Sequence, residues 1–377
     1  MDYILSLGSN VASYALPFLF VLGLIIFVHE MGHFLVARWC GVAVDAFSIG
    51  FGPELFGWND RYNTRWKLSV VPLGGYVKFA GDENAASVPD RDALSGMSEA
   101  ERKTSFFLKP LWQRAAIVAA GPVANFILAI AIFAIYFSIN GRPMADAMVS
   151  SVQPDSPAAA AGFEPGDVIV AIDGDKVASF SAVQRVVASA AGETLTFTVT
   201  RGGESVDLVA TPEQRELTDP FGNPYAQGVL GVQRDVGAEG IPREKLGPFS
   251  AIAAGVDETL YITKRTVEVV GGIITGTQSA NQLGGPLRVA QVSGEVASIS
   301  FSALFSLAAM LSVSIGLINL MPIPMLDGGH LLFYAIEGLR GRPLSERAQD
   351  VGFRIGLGLV LLLMGFATFN DIVHLTS

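Results

Sequence analysis

The chain has 377 residues, half of them hydrophobic, and a formal net charge of −10. That length supports two or three domains, and the gathering of apolar residues into a few long runs points to a membrane. The acidic excess argues against a nucleic-acid partner, because neutralising phosphates takes clustered basic groups, and the single cysteine, Cys40, excludes an internal disulfide or a cysteine metal cluster and reads as a buried small residue.

The first apolar run, Val11–Val36, is long enough to cross a bilayer, which takes ~20 apolar residues. It reads as a retained span: it is too long for a cleaved signal peptide, lacks a basic start and has no small-residue cleavage site before Arg38. Its middle carries "HEMGH", with His29, Glu30 and His33. This fits H-E-x-x-H. On a helix, residues four apart share a face, so both imidazoles can bind one Zn²⁺ with Glu30 beside them as general base. A charge inside a bilayer costs roughly 2.5–3.5 kcal/mol even on lenient scales; a metal ion supplies the balancing charge. The competing explanation is two histidines that only pack helices together. His29 lies about 18 residues into the run, or ~27 Å at 1.5 Å per residue, toward its far side.

Val44–Gly81 follows, rich in aromatics, glycine, valine and threonine. "FSIGFG", "TRWKLSVVPL" and "GYVKF" read as strands joined by turns. The expectation is a β-sheet beneath the membrane face, serving either as an edge for a substrate strand or as a structural plug. Ala115–Ile139 is the second span.

The polar middle holds the acidic charge, with eight basic and fifteen acidic residues between Arg142 and Lys245. Val168–Ile172 is a short apolar strand before the turn Asp173-Gly174. Ser181–Ala190 has helix-like composition, "LTFTVTR" alternates at period two, and "GGE" turns into "SVDLVA". Ser156–Gly174, "SPAAAAGFEPGDVIVAIDG", resembles a PDZ domain. PDZ domains bind extended peptides at a sheet edge; an inert spacer is the alternative.

Phe301–Leu320 is the third span and Val351–Phe369 the fourth. The third ends in "INLMPIPMLDGGH", Ile318–His330. Pro322 and Pro324 cannot continue a regular helix, and Gly328-Gly329 allow a tight turn. Unwound backbone at membrane depth is tolerated only where protein or a water-filled cavity covers it. A catalytic zinc takes three protein ligands in most sites. After His29 and His33 the candidates are His330, His374 and Asp327, and Asp327 is the better one; a helix-capping aspartate is the competing explanation.

Lys and Arg near span ends set orientation. Ten lie between Arg38 and Arg114, and Arg340, Arg342, Arg347 and Arg354 flank the fourth span, whereas residues 1–11 and 370–377 contain none. Both basic loops are therefore expected in the cytoplasm, with the termini and the polar middle outside.

Taken together, "HEMGH", "GPVAN" (Gly121–Asn125), the PDZ-like segment and "NLMPIPMLDGGH" (Asn319–His330) resemble the site-2 protease family of intramembrane zinc metalloproteases, over essentially the whole chain. The resemblance implies that His29, His33 and Asp327 hold one zinc ion per chain and that Glu30 is the general base. It also implies that Asn319 binds substrate or transition state, and that "GPVAN" packs helices closely. "ITKRTVEVVGGIIT" and "NQLGGPLRVA" resemble a membrane-surface helix and loop. The implied activity is hydrolysis of peptide bonds in or near transmembrane segments of single-span membrane proteins, such as anti-sigma factors, and of remnant signal peptides. The implied location is a bacterial inner membrane, with both termini and the PDZ-like domain periplasmic and the active site toward the cytoplasm. The implied partners are such substrates, a peptide or substrate ectodomain at the PDZ-like domain, and the bilayer. Relatives often carry two tandem PDZ domains; here one clear copy is followed only by Glu213–Gly255, with a "GVLGV" strand at Gly228–Val232.

The expected fold is a polytopic α-helical membrane protein with four transmembrane helices, a cytoplasmic membrane-associated β-rich segment and one periplasmic PDZ-like α+β domain. Its expected parts are a first span with H-E-x-x-H (1–38), a β-rich region and loop (39–114), a second span (115–140), the PDZ-like domain (141–213), a linker with a membrane-surface helix (214–300), a third span with Leu-Asp-Gly (301–329), and a cytoplasmic loop with the fourth span (330–377). Competing functions are a membrane zinc transporter or sensor, since polar groups in spans suit ion pathways too, and an inactive scaffold. Glu30 beside the histidines disfavours both.

Overall fold

The structure is a computed structural model of the chain, and its described residues are 2–80, 98–143, 147–177, 179–218, 224–235, 243–276 and 284–376. Arg91 of the basic loop and residues 281–283 of the "NQLGGPLRVA" stretch fall outside them. The chain forms two compact units, one of Met1–Ile135 with Ala251–Ser377 and one of Tyr136–Ser250.

The first unit begins with helix α1, Asp2–Trp39, whose residues 13–39 are apolar and long enough to span. The helix ends at Gly41, which takes φ +68°, a value open to glycine without strain. Two long strands follow, β1 (Val44–Asn59) and β2 (Arg65–Phe79). The three short strands expected from the sequence run together into these two. Both bend: β1 at Gly50 and Gly52 (φ +89° and +85°), and β2 near Gly74 (φ +158°). The bends let β1 be used twice. Val44–Ile49 pairs with Gly75–Phe79 and also with Arg65–Leu68, which pairs in turn with Phe56–Asn59. The outer segments are therefore Phe56–Asn59 and Gly75–Phe79, and no described strand pairs with the far side of Gly75–Val77.

Asp60 closes the β1–β2 turn. Its Oδ1 accepts the N–H groups of Tyr62 (2.8 Å) and Thr64 (2.9 Å), and Asn63 adopts the left-handed region. Arg38, at the end of α1, donates to Asp60 Oδ2 at 3.0 Å and lies over the Tyr62 ring, so the turn is tied to the first span. The sheet packs on α1 through Phe34, Val44, Phe47, Val77 and Phe79, with Phe47 stacked on Trp66. Helix α2, Glu99–Thr104, starts with a capping box between Ser98 and Glu101. Helix α3, Leu111–Asn140, is the second candidate span, and Ile117 and Val118 complete this core.

The second unit opens with β3 (Arg142–Pro143), β4 (Ser151–Val152) and the short helix α4 (Pro157–Ala161), capped by Ser156 and ended by left-handed Gly162. Then come β5 (Val168–Ile172), β6 (Asp175–Lys176), helix α5 (Phe180–Ser189), β7 (Leu195–Arg201) and β8 (Glu204–Ala210). The sheet order is β6-β5-β7-β8. Alternation puts Leu195, Phe197 and Val199 of β7 inward, against Val183 and Val187 of α5 and Phe163. The hairpin β9 (Glu213–Thr218) and β10 (Pro224–Val229) follows, then β11 (Val232–Gln233) and β12 (Arg243–Glu244). The expected strand at Gly228–Val232 is instead the end of β10 and the start of β11, broken at left-handed Gly231. Asp167 is buried and takes two bonds from Arg201, Nε at 2.7 Å and Nη2 at 2.8 Å, plus the Glu164 N–H at 2.9 Å.

The first unit resumes with α6 (Pro248–Thr275) and α7 (Pro286–Ile299). Next come α8 (Phe301–Leu320), α9 (Asp327–Arg340) and α10 (Glu346–Thr376). Residues 301–320 and 347–373 are the remaining two of four candidate spans among the described residues. α7 has no cap of its own; buried Asp371 of α10 accepts the N–H groups of Gly285, Leu287 and Arg288 at 2.8–3.1 Å. α9 is tied to α3 by Arg114, which grips both oxygens of Glu337 at 2.5 and 3.2 Å.

Burial alone would raise the Asp167 pKa; the Arg201 and Glu164 bonds outweigh it and hold the carboxyl below its ordinary range. A lowered folded-state pKa stabilises above the unfolded value, and the gain disappears as pH falls through the folded one. The melting-midpoint gap between the native chain and Asp167→Asn should therefore hold steady from pH 7 to about 5 and close in more acid solution.

Candidate metal centre

α1 presents His29 and His33 on one face, one helical turn apart. α3 crosses that face closely. A Cβ on Gly32 would meet the Ala120 carbonyl carbon and Ala124 Cβ, both at 2.8 Å. On α3 the opposing residues are Ile117, Gly121 and Asn125, again four apart. Ile117 O lies 2.9 Å from His33 Nδ1, and the Asn125 amide 3.3 Å from His29 Nδ1. Between them Gly121 leaves the space the rings fill: a Cβ there would collide with His33 Nε2 and come within 2.9 Å of His29 Cε1. "GPVAN" thus does more than pack helices. Its glycine and asparagine line the histidine pair.

Asp327 arrives from the other side. α8 stops at Leu320, ahead of Pro322 and Pro324, and α9 starts at Asp327. The connecting residues include Met325 at φ +94°. Gly328 and Gly329 do not form the tight turn expected from the sequence; they lie in the first turn of α9. Their role is close approach, since Cβ atoms there would strike the carbonyls of Leu320 and Met321 and of Ile323. Asp327 is not a cap either. The N-cap is Leu326, and no side-chain cap bond is present.

His29 Nε2 lies 3.2 Å from Asp327 Oδ2, His33 Nε2 lies 3.5 Å from Asp327 Oδ1, and the two Nε2 atoms are 3.3 Å apart. Ligand atoms held 2.0–2.1 Å from a shared ion at tetrahedral angles stand about 3.3 Å from one another. Asp327 Oδ2 is buried without a hydrogen-bond partner, a costly state unless a cation faces it. Two imidazole nitrogens and one carboxylate oxygen are also a donor set that suits zinc. The residues fit the ion. Among the described residues this is the one cluster of three such groups.

The other sequence candidates fall as follows. Glu30 is buried beside His29 and faces β2, where a Cβ on Gly75 would lie 2.9 Å from Glu30 Cγ. His330 stands outside the cluster, its ring 5.4 Å from that of Phe353. His374 sits near the end of α10. Asn319 is half-buried in the last turn of α8, and among the described residues no hydrogen bond joins it to the cluster. The sequence reading missed Asn125 and Gly75 as site residues. The signal for Asn125 was available: an amide in the middle of an apolar span needs a partner.

A family model described as Peptidase family M50 matches residues 17–363. The chain belongs to peptidase family M50. A protein of Agrobacterium fabrum that carries the name of a zinc metalloprotease is 53% identical over 375 residues, with 100% of both chains covered. Metalloprotease MmpA of Caulobacter vibrioides is 41% identical over 376 residues, with 94% of both chains covered. Regulator of sigma-E protease RseP of Salmonella typhimurium is 33% identical, with 95% of this chain and 98% of RseP covered. Among solved structures, the PDZ domain of an SdrC-like protein from Listeria monocytogenes aligns with 23% of this chain and 87% of its own, at 25% identity and a TM-score of 0.18. The chain is therefore a zinc metalloprotease of M50 type and a multi-pass membrane protein.

Gly121→Ala should displace both rings while leaving the helices formed. A displacement of 1 Å can cost about 10²-fold in rate. A loss of that order, with an unchanged helical circular-dichroism spectrum, is the expected outcome; near-native activity would show that α3 yields freely at this crossing.

Proposed function

We propose that this metalloprotease works within the membrane, cutting single-span membrane proteins in or near their transmembrane segments. In this reading His29, His33 and Asp327 hold one zinc ion, Glu30 is the general base and Asn319 is a polar group for substrate. The observation that carries it is the convergence of three donor atoms at tetrahedral-edge distances, two from the apolar helix α1 and one from the start of α9, with a buried glutamate next to them.

Zinc, when bound, polarises a peptide carbonyl and lowers the pKa of water toward ~7. Glu30 takes the proton from the attacking water and returns it to the leaving amine. Asn319 donates to the developing oxyanion; a single donor of this kind contributes roughly 3–4 kcal/mol in a soluble protease. The α8–α9 break lets polar backbone reach this depth under protein cover.

A transmembrane helix hides its carbonyls in i to i−4 bonds, so the substrate has to unwind. The Val44–Gly81 segment is the proposed clamp, taking the substrate as an added strand. Support comes from the unpaired side of Gly75–Val77 and from the closeness of Gly75 to Glu30. The β-rich region and the loop before the fourth span belong on the cytoplasmic side of a bacterial inner membrane, because the Lys and Arg residues near the span ends lie in them. The termini and the PDZ-like unit then lie in the periplasm, where that unit takes a peptide or a substrate ectodomain. Anti-sigma factors and remnant signal peptides are the two substrate classes that the resemblance to site-2 proteases implies.

Purified protein in detergent, given a model single-span substrate, tests the chemistry. Glu30→Gln should lose 10²-fold or more of its cleavage while keeping one zinc per chain by elemental analysis. His29→Ala, His33→Ala and Asp327→Ala should lose the zinc. Equal cleavage by native and Glu30→Gln protein would remove Glu30 as the base.

Tyr76→Pro and Val77→Pro test the clamp. Neighbouring N–H groups in a strand face opposite sides, so one of these prolines removes an outward donor. That variant should stop cleavage with zinc retained, and cleavage by both at the native rate would sink the clamp.

A further inference from the structure

Different groups support the two imidazoles of the cluster from behind. His33 Nδ1 meets a main-chain oxygen, Ile117 O, at 2.9 Å. His29 Nδ1 meets a side chain, the amide of Asn125, at 3.3 Å. Both rings turn Nε2 toward Asp327. An imidazole that offers its Nε2 lone pair to a metal carries its proton on Nδ1, and that proton needs an acceptor.

Asn125 is fully buried, and its Oδ1 has no hydrogen-bond partner while its Nδ2 group faces His29. The orientation of an amide follows from the network around it. Half a turn of this one sets the orphaned oxygen against the Nδ1–H of a metal-ready His29. The acceptor is what the ring needs, and an amide oxygen or a carboxylate oxygen supplies it.

The surroundings hold Asn125 in place. Its main-chain carbonyl accepts the Ser312 hydroxyl of α8 at 2.9 Å. A Cβ on Gly316 would come within 3.3 Å of Asn125 Cβ, so α8 lies hard against α3 at this level.

We propose that Asn125 is the positioning residue for His29: its side-chain oxygen takes the Nδ1 proton and fixes the ring with Nε2 aimed at the metal. This rests on His29 being a zinc ligand. It assigns to "GPVAN" a part in building the metal site.

The test is zinc affinity of the full-length chain in detergent, measured by competition with a chromophoric chelator. The proteins are the native chain, His29→Ala, Asn125→Leu, Asn125→Ala and Asn125→Asp. Losing an outer-shell partner costs 10–100-fold in metal affinity, and that loss is expected for Asn125→Leu and Asn125→Ala. Asn125→Asp keeps an acceptor and should stay within a few-fold of native. Asn125→Ala only removes atoms and carries the test if the bulkier leucine disturbs α3. Native affinity in both Asn125→Leu and Asn125→Ala would overturn the proposal. So would a loss in Asn125→Asp as large as in Asn125→Leu, which would mark a packing role. Native zinc affinity in His29→Ala would overturn the ligand assignment itself, and the Asn125 role would fall with it.

Discussion

A carboxylate and two imidazoles set among apolar helices are tolerable only if their donor atoms converge on a shared cation and their remaining polar atoms find partners. Much of the first unit answers to that constraint. Gly32 and Gly121 let α1 and α3 approach until the histidines reach the partners on α3. The proline break between α8 and α9 brings Asp327 to the same point from another helix, and Gly328 and Gly329 let the new helix start against the carbonyls of the old one. The Arg114–Glu337 pair holds α9 to α3 farther along.

The sheet answers to a second demand, close packing on α1. A flat pair of strands would show two long edges and little shape. Bending at Gly50, Gly52 and Gly74 makes two strands fill four places, buries Phe47 and Val77 on α1, and brings Gly75 beside Glu30. The missing side chain at Gly75 is what lets β2 come this close to the proposed base: a Cβ there would lie 2.8 Å from Ile26 Cγ2 and 2.9 Å from Glu30 Cγ.

Much of this was legible in the sequence. The spans are encoded by composition, and the third matches its helix from Phe301 to Leu320. β5 and β7 follow from apolar run and alternation, and they fall at Val168–Ile172 and Leu195–Arg201. Histidines four apart announce a shared face, and Asp327 stood out as an acid beside broken helix. What was hidden depends on how helices cross. Nothing local says that Gly121 lies under two rings or that Gly328 faces a carbonyl instead of bending a turn, and the amide of Asn125 announces a need for a partner without naming His29. The doubled use of β1 was hidden as well, because strand partners are set by the bend and by the core, with no signature in any one segment.

The unequal support of the two histidines bears on how this site tolerates change over time. Ile117 serves His33 through its main chain, so any side chain that packs there leaves the acceptor where it is. The partner of His29 is a side chain, and one codon change removes it. Drift at 117 is therefore filtered only by volume, whereas drift at 125 is filtered by chemistry. Of two histidines that look equivalent in the motif, one is backed by a group that mutation cannot delete, and the other is the point at which the site is most easily tuned or lost.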